Sequence, residues 1–165
     1  MPMISFSGKT AAGPFWEQIR MGRKTQTIRE PRKDNRPHAR VGDICQLYWK
    51  VRTKITDKPV HRIATVKITA YEPITLLDMW DDEENAMADG FASLEEFRLY
   101  FLEEWCLPFI KEMIEAMTAL RKQGVGAEIT GNWSRKTGKT SAYLAFKRLT
   151  APMVRIKWVK WERSE

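Results

Sequence analysis

The chain has 165 residues, 43% of them hydrophobic and 30% charged, which is typical of one folded domain and argues against disorder. Its two cysteines lie far apart without metal-ligand spacing, so we predict no disulfide framework, no metal site and no cofactor. The chain has no signal-like start and no apolar run long enough to span a bilayer. We therefore expect a cytoplasmic protein with no membrane partner.

The net charge of +7 is distributed unevenly along the chain. Residues 1–71 contain 15 Lys and Arg against 5 Asp and Glu, and residues 121–165 contain 11 against 3. Residues 72–104 contain 1 against 11. If the two basic blocks meet in the fold, they create a field that attracts phosphate groups. The charge pattern therefore favours nucleic acid as a partner, bound either specifically or loosely.

The first half of the chain shows a short helix among predicted strands. An apolar start at 4–6 precedes a helix that Pro14 begins and Gly22 ends. A polar, basic loop follows the helix. Strands are then predicted at 44–51 and at 62–71, where polar and apolar residues alternate and Pro73 is expected to end the strand.

The second half contains the remaining helices and the last strands. The segment Ser93-Leu94-Glu95-Glu96 has capping-box spacing and predicts a helix start, and a second helix is expected from 109 to about 122. Two further strands are predicted at 141–148 and 153–162. Grouped helices with about five or six strands favour an α+β fold with a small barrel or a strongly curved sheet.

The segment at 22–30, GRKTQTIRE, concentrates the polar groups that could carry chemistry. In one interpretation, Lys24 and Arg29 are solvated charges at a strand end. In the other, Lys24 takes a proton from the hydroxyl of Thr27 and so activates it as a nucleophile. Residues 24 and 27 point to opposite faces of a regular strand, so they converge only if the chain bends after Gly22. The residues alone favour the structural interpretation.

Four short motifs, in this order and spacing, resemble the ASCH domain family. They are Gly22-Arg23-Lys24-Thr25-Gln26-Thr27-Ile28-Arg29 after a helix, Val41-Gly42-Asp43 before a strand, Ala88-Asp89-Gly90-Phe91, and Ser93-Leu94-Glu95-Glu96-Phe97. The resemblance covers residues 4–105 and the last strand. It implies a PUA-like β-barrel with flanking helices, forming a single domain over 1–165 with a helical and basic-loop insertion at 107–140.

The resemblance implies two possible functions. Some ASCH proteins are taken to bind RNA or DNA, and one small bacterial group hydrolyses N(4)-acetylcytidine to cytidine and acetate. Carried over by position, the hydrolase roles fall on Lys24 as base, Thr27 as nucleophile and Asp89 as the third catalytic group. Asp89 stands where that group has a glutamate, and its side chain is one methylene shorter. A proton donor must come within hydrogen-bond distance of the atom it serves, so the shorter side chain puts proton transfer by Asp89 in question.

We expect an ASCH-domain protein that binds RNA, single-stranded nucleic acid or a modified nucleobase in a basic cleft. The alternative is an amidohydrolase acting on N(4)-acetylcytidine, and a ribonuclease has weaker grounds because neither histidine lies in the motif. An insertion that carries aromatic and basic residues suits a longer nucleic-acid ligand. The predicted ligand-binding residues are Arg23, Gln26, Arg29, Arg32, Lys33, Arg36, Trp133 and Arg135. Of these, Arg32, Lys33, Arg36 and Arg135 are expected to hold phosphates.

Overall fold

The structure is a computed structural model that describes residues 1–102, 106–122 and 140–162. The chain divides into two compact units, Met1–Phe97 together with Pro152–Glu165, and Arg98–Ala151. The predicted ligand residues Trp133 and Arg135 lie outside the described residues.

The first unit is built on a mixed five-stranded sheet that curls into a half-barrel, so the α+β class is confirmed. The spatial order of its strands is β1 (Met3–Phe6), β5 (Ile44–Trp49), β6 (Arg62–Ile74), β7 (Met153–Lys160) and β4 (Gln26–Arg29). β1 is parallel to β5, and the other neighbouring pairs are antiparallel. A small hairpin of β2 (Lys9–Thr10) and β3 (Gly13–Pro14) stands apart from this sheet.

Three helices begin in the first unit. They are α1 (Phe15–Arg20), α2 (Glu83–Ala88) and α3 (Leu94–Phe101). As predicted, Pro14 occupies the N-cap of α1, and Ser93 caps α3 by accepting a hydrogen bond from the Glu96 amide at 3.1 Å. A single 3₁₀ turn, Ile55–Asp57, lies between β5 and β6.

The concave face of the sheet forms the core of the first unit. Alternate residues of β5 are buried, as the two-residue period of a strand requires. On β7, Ile156 and Trp158 face the same way, and Trp158 packs edge-on against Phe6 of β1 with 5.9 Å between ring centroids. Burial of each such large side chain stabilises the fold by about 1.5–3 kcal/mol.

Arg29 links the two edge strands of the half-barrel. The guanidinium Nη2 of Arg29 on β4 donates a 2.5 Å hydrogen bond to the carbonyl of Ser5 on β1. The same guanidinium lies 5.0 Å from the ring centroid of Phe6. A charged hydrogen bond therefore joins the sheet edges where no strand pairing connects β1 and β4 in the described sheet.

Strand β6 differs from its prediction because it continues through Pro73 to Ile74. Residues 62–67 pair with β5, whereas residues 70–74 pair only with β7 among the described strands. A proline is tolerated on the side of a strand that has no neighbour, since no ladder hydrogen bond needs its missing N–H. The prediction that Pro73 ends the strand is therefore wrong.

The second unit contains α4 (Leu107–Lys122) and α5 (Thr140–Thr150), which pack against each other. Helix α5 replaces the strand predicted at 141–148, so that prediction is wrong. Its buried residues, Ala145 and Leu149, are four apart, which is helical spacing, while Lys147 between them is exposed. Alanine, leucine, lysine and arginine, which recur in this segment, are strong helix formers and favour the helix.

Gly90, after α2, is required both by its backbone conformation and by the space around it. Its φ is +99°, and an added Cβ would lie 3.0 Å from Cε1 of Phe15 and 3.1 Å from Oε1 of Gln18. Gly42 has a similar φ of +92°, but an added Cβ there would meet nothing within 4 Å. Comparison of the two glycines therefore distinguishes backbone strain, which both would suffer with a Cβ, from steric crowding, which affects Gly90 but not Gly42.

We expect Gly90→Ala to lower the free energy of unfolding by about 2–4 kcal/mol, because backbone strain adds to overpacking. The control, Gly42→Ala, should lose only about 1–2 kcal/mol, from backbone strain alone. Urea denaturation of both variants measures the difference. Equal losses would show that the contacts of Gly90 with Phe15 and Gln18 impose no constraint.

Candidate functional site

The chain bends between α1 and β4, as convergence of Lys24 and Thr27 requires. Gly22 has a φ of +78°, and the amides of Arg23 and Lys24 both donate to the carbonyl of Gln18, at 2.9 and 3.1 Å. Regular strand geometry begins only at Gln26. Lys24 therefore lies before the strand, and its side chain is directed into the protein.

The bent segment is attached to the backbone that follows α2. The four successive carbonyl groups of residues 88–91 each accept a hydrogen bond, at 2.9, 2.5, 2.6 and 3.1 Å in chain order. The donors, in the same order, are Thr25 N, Lys24 Nζ, Thr10 Oγ1 and Arg23 Nη2. Two of the motifs that carry the family resemblance, GRKT and ADGF, thus contact each other directly.

Lys24 and Asp89 form a buried ion pair at this contact. The Nζ atom of Lys24 lies 2.8 Å from Oδ1 of Asp89 and also donates to its backbone carbonyl. The two residues are only 2% and 3% exposed. The ammonium also lies 4.5 Å from the ring centroid of Phe15 and 5.7 Å from that of Phe6. Asp89 and two aromatic faces thus compensate for part of the lost hydration of Lys24.

Burial dominates the electrostatics of the pair. Loss of hydration lowers the pKa of Lys24, although the neighbouring Asp89 carboxylate acts to raise it. Loss of hydration likewise raises the pKa of Asp89, against the opposing effects of Lys24, Arg29 and the Ile28 amide. Burial therefore brings the two pKa values towards each other, which makes transfer of the shared proton from Lys24 to Asp89 easier than in water.

Thr27 and Arg29 lie on the inner face of β4, and the charge of Arg29 acts on both members of the pair. Thr27 stands opposite Ile156 and Arg29 opposite Val154 in the antiparallel register, so both face the buried side of β7. Thr27 is 6% exposed. In the part of the chain that the structure describes, the Thr27 side chain makes no hydrogen bond to Lys24 or Asp89.

Two other predicted ligand residues of the motif make internal contacts. Arg23 donates to the Phe91 carbonyl, as described above. Gln26 is 3% exposed, and its Nε2 donates to Oδ1 of Asn85 at 2.7 Å. These hydrogen bonds hold β4 to α2 and to the residues that follow it. The motif is thus largely occupied in joining β4 to the segment that contains Asp89.

The remaining described candidates lie in the polar loop after β4. Arg32, Lys33 and Arg36 are all exposed. Arg32 forms a 2.8 Å ion pair with Asp34, and both side chains are nearly half exposed. The structure does not bring these three residues into the buried cluster around Lys24, and their role as phosphate ligands stays a prediction.

A pocket of about 830 Å³ opens beside the bent segment, between α1 and the ends of β6 and β7. Lys24 contributes to its wall, together with the buried ring of Trp158. Four further charged or aromatic lining residues were not singled out from the sequence. They are Arg20, Arg62, Lys160 and Trp161. One sequence signal could have indicated them. They are basic or aromatic residues that lie at the ends of helices and strands.

Comparisons with protein families, curated proteins and solved structures found no match to this chain. The ASCH resemblance therefore stays a prediction. Among the described residues, no helix has the length and apolar content to cross a bilayer. His, Cys, Asp and Glu side chains form no group of three or more that could hold a metal ion in the same part of the chain.

We expect Lys24→Met to lower the free energy of unfolding by about 3–5 kcal/mol at neutral pH, because it leaves the Asp89 carboxylate buried without its cation. The loss should shrink in acid. A buried acid with a raised folded-state pKa binds its proton more tightly in the folded state, so stability rises as pH falls through that pKa.

Urea denaturation of Lys24→Met, Asp89→Asn and the double variant, at neutral and mildly acidic pH, tests this expectation. The double variant should lose less than the sum of the single losses, because neither remaining side chain is charged. Additive losses at both pH values would show that the two groups are not energetically coupled.

Proposed function

We propose that this chain is an ASCH-type protein with a PUA-like half-barrel that binds a nucleobase of RNA or single-stranded nucleic acid, or a modified nucleobase, in the pocket beside Lys24. One observation carries the proposal. The residues that line the pocket of about 830 Å³ include four cationic residues and two tryptophans among small and aliphatic ones, and no Asp or Glu lines it in the described part of the chain. A base needs an aromatic or apolar wall, and its phosphate needs cations.

The state of Lys24 favours binding over catalysis. Its ammonium donates to two oxygens of Asp89 and faces two aromatic rings, so it is already engaged within the protein. A general base must reach the proton that it removes, at about 2.6–3.2 Å. In this arrangement the pair fixes the wall of the pocket, and proton removal by Lys24 would first require the ion pair to open.

We expect Thr65→Trp to weaken binding of a short, fluorescently labelled single-stranded RNA strongly, because Thr65 lines the pocket and an indole there would take up space that a base needs. The matched control is Thr69→Trp, which changes an exposed threonine of the same strand that does not line the pocket. Fluorescence anisotropy measures both affinities, and a labelled DNA of the same sequence shows whether the sugar matters.

Binding to the wild-type protein should weaken steeply between about 50 and 200 mM salt, as counterion release requires. The Thr69→Trp variant should follow the wild-type curve. Undiminished binding by Thr65→Trp, or an affinity that does not change with salt, would contradict the proposal.

A second function, hydrolysis of N(4)-acetylcytidine, is favoured by the environment of Lys24 and Thr27. Burial lowers the pKa of Lys24, as activation of a nucleophile requires, and Thr27 faces the same interior from β4. In this mechanism Thr27 attacks the acetyl carbonyl, neutral Lys24 accepts the hydroxyl proton, and Asp89 holds Lys24 in place. Lys24 then returns that proton to the amine nitrogen as the C–N bond breaks, so that cytidine leaves and the acetyl group remains on Thr27. Water then releases acetate from Thr27.

Incubation with N(4)-acetylcytidine, with cytidine release followed by chromatography, tests the hydrolase function. Thr27→Val preserves the shape of the side chain but lacks the hydroxyl, so it should lose turnover entirely. Thr27→Ser retains a hydroxyl and should keep measurable turnover. Turnover that survives Thr27→Val would exclude Thr27 as the nucleophile, and no turnover by the wild-type protein would exclude this function.

A further inference from the structure

We infer that the outer part of the pocket is a binding site for the sugar–phosphate backbone of a single strand, so that the ligand is a nucleotide within a strand rather than a free nucleoside. The inference rests on the proposed nucleobase pocket and assigns its outer residues. We call these residues the rim, and they are Arg20, Arg62, Lys160 and Trp161. The sequence predicted the phosphate contacts elsewhere, at Arg32, Lys33 and Arg36 in the loop after β4 and at Arg135, which lies outside the described residues.

The rim is positively charged and open to solvent. Arg20, Arg62 and Lys160 are all exposed, and they come from α1, β6 and β7, so the fold gathers cations that are distant in sequence. Glu162 lies 3.7 Å from Lys160, but both side chains are more than 70% exposed. Such an exposed ion pair is weak, so Lys160 can exchange it for a phosphate. The rim therefore attracts polyanions.

Arg20 is held in an orientation suited to a phosphate. Its Nε and Nη2 atoms donate to the carbonyls of Ile63 and Arg62, at 3.1 and 2.9 Å, and its guanidinium lies 5.8 Å from the ring centroid of Trp16. These contacts use one edge of the guanidinium. The other edge, formed by Nη1 and the second hydrogen of Nη2, has the fork geometry that binds two phosphate oxygens.

Trp161 supplies a surface on which a base can stack. Its amide donates to the carbonyl of Thr65 at 3.1 Å, which fixes the backbone just beyond the end of β7. Its side chain is partly exposed, whereas Trp158, deeper in the pocket, is only 5% exposed and packs against Phe6. The two indoles thus have different roles: Trp158 forms part of the buried wall, and Trp161 is accessible to a ligand.

The size of the pocket agrees with a ligand larger than one base. Its volume of about 830 Å³ is in the upper part of the range of about 300–1,000 Å³ that ligand pockets occupy. One base can lie against the inner wall while the adjoining phosphate meets Arg20 and the next base stacks on Trp161. This arrangement needs at least two linked nucleotides.

The test compares cytidine, cytidine monophosphate and a short labelled single-stranded RNA as ligands of the wild-type protein. Affinity should rise in that order, because each step adds phosphate contacts to the rim. Arg62→Glu and Lys160→Glu should each weaken RNA binding about tenfold or more and make its salt dependence shallower. Trp161→Ala should also weaken it, by about tenfold, through lost stacking.

Lys54→Glu is the matched control. Lys54 is exposed, does not line the pocket, and undergoes the same change of charge as Lys160→Glu. It should leave RNA affinity within about twofold of the wild-type value, since the remaining effect is the long-range field alone. Circular dichroism melting of every variant shows that the fold is retained.

The inference is overturned if Lys54→Glu weakens RNA binding as much as Lys160→Glu, because net charge alone would then explain the effect. It is also overturned if RNA binds no more tightly than cytidine. In that second case the proposed function survives, provided that Thr65→Trp weakens the binding of cytidine. If none of the three ligands binds the wild-type protein, the proposed function and the inference both fail.

Discussion

The buried ion pair of Lys24 and Asp89 joins parts of the chain that are 65 residues apart. Transfer of two charges out of water is costly, so the pair persists only because additional contacts surround it. Hydrogen bonds to the carbonyls of 88–91 and the rings of Phe6 and Phe15 supply those contacts. The position of β4, the course of the chain after α2 and the wall of the pocket all depend on this arrangement.

The same arrangement separates two kinds of positive charge. The charge of Lys24 is matched by Asp89 inside the protein, whereas the cations of the rim face solvent. An inner pair of this kind contributes little net field to a ligand, because the opposite charges lie 2.8 Å apart. Attraction of a polyanion therefore falls to the rim, and the inner pair shapes the space that a base can occupy.

The sequence predicted the α+β class, most strands of the sheet and the starts of α1 and α3, because hydrophobic periodicity and capping residues are local signals. It also singled out Lys24 and Asp89, which the structure brings into contact. It did not predict helix α5, although that segment is rich in strong helix formers. Nor did it predict the rim, whose members meet only through strand pairing and helix packing. Such tertiary contacts leave no pattern at short sequence separation.

An NMR titration of ¹⁵N-labelled protein with a short single-stranded RNA tests most directly whether the pocket, and not the loop after β4, receives the nucleic acid. We expect the largest shift changes at the backbone amides of Gly22, Thr25 and Thr65 and at the indole N–H groups of Trp158 and Trp161. Shift changes confined to the exposed loop of Arg32, Lys33 and Arg36, with the pocket signals unmoved, would contradict it.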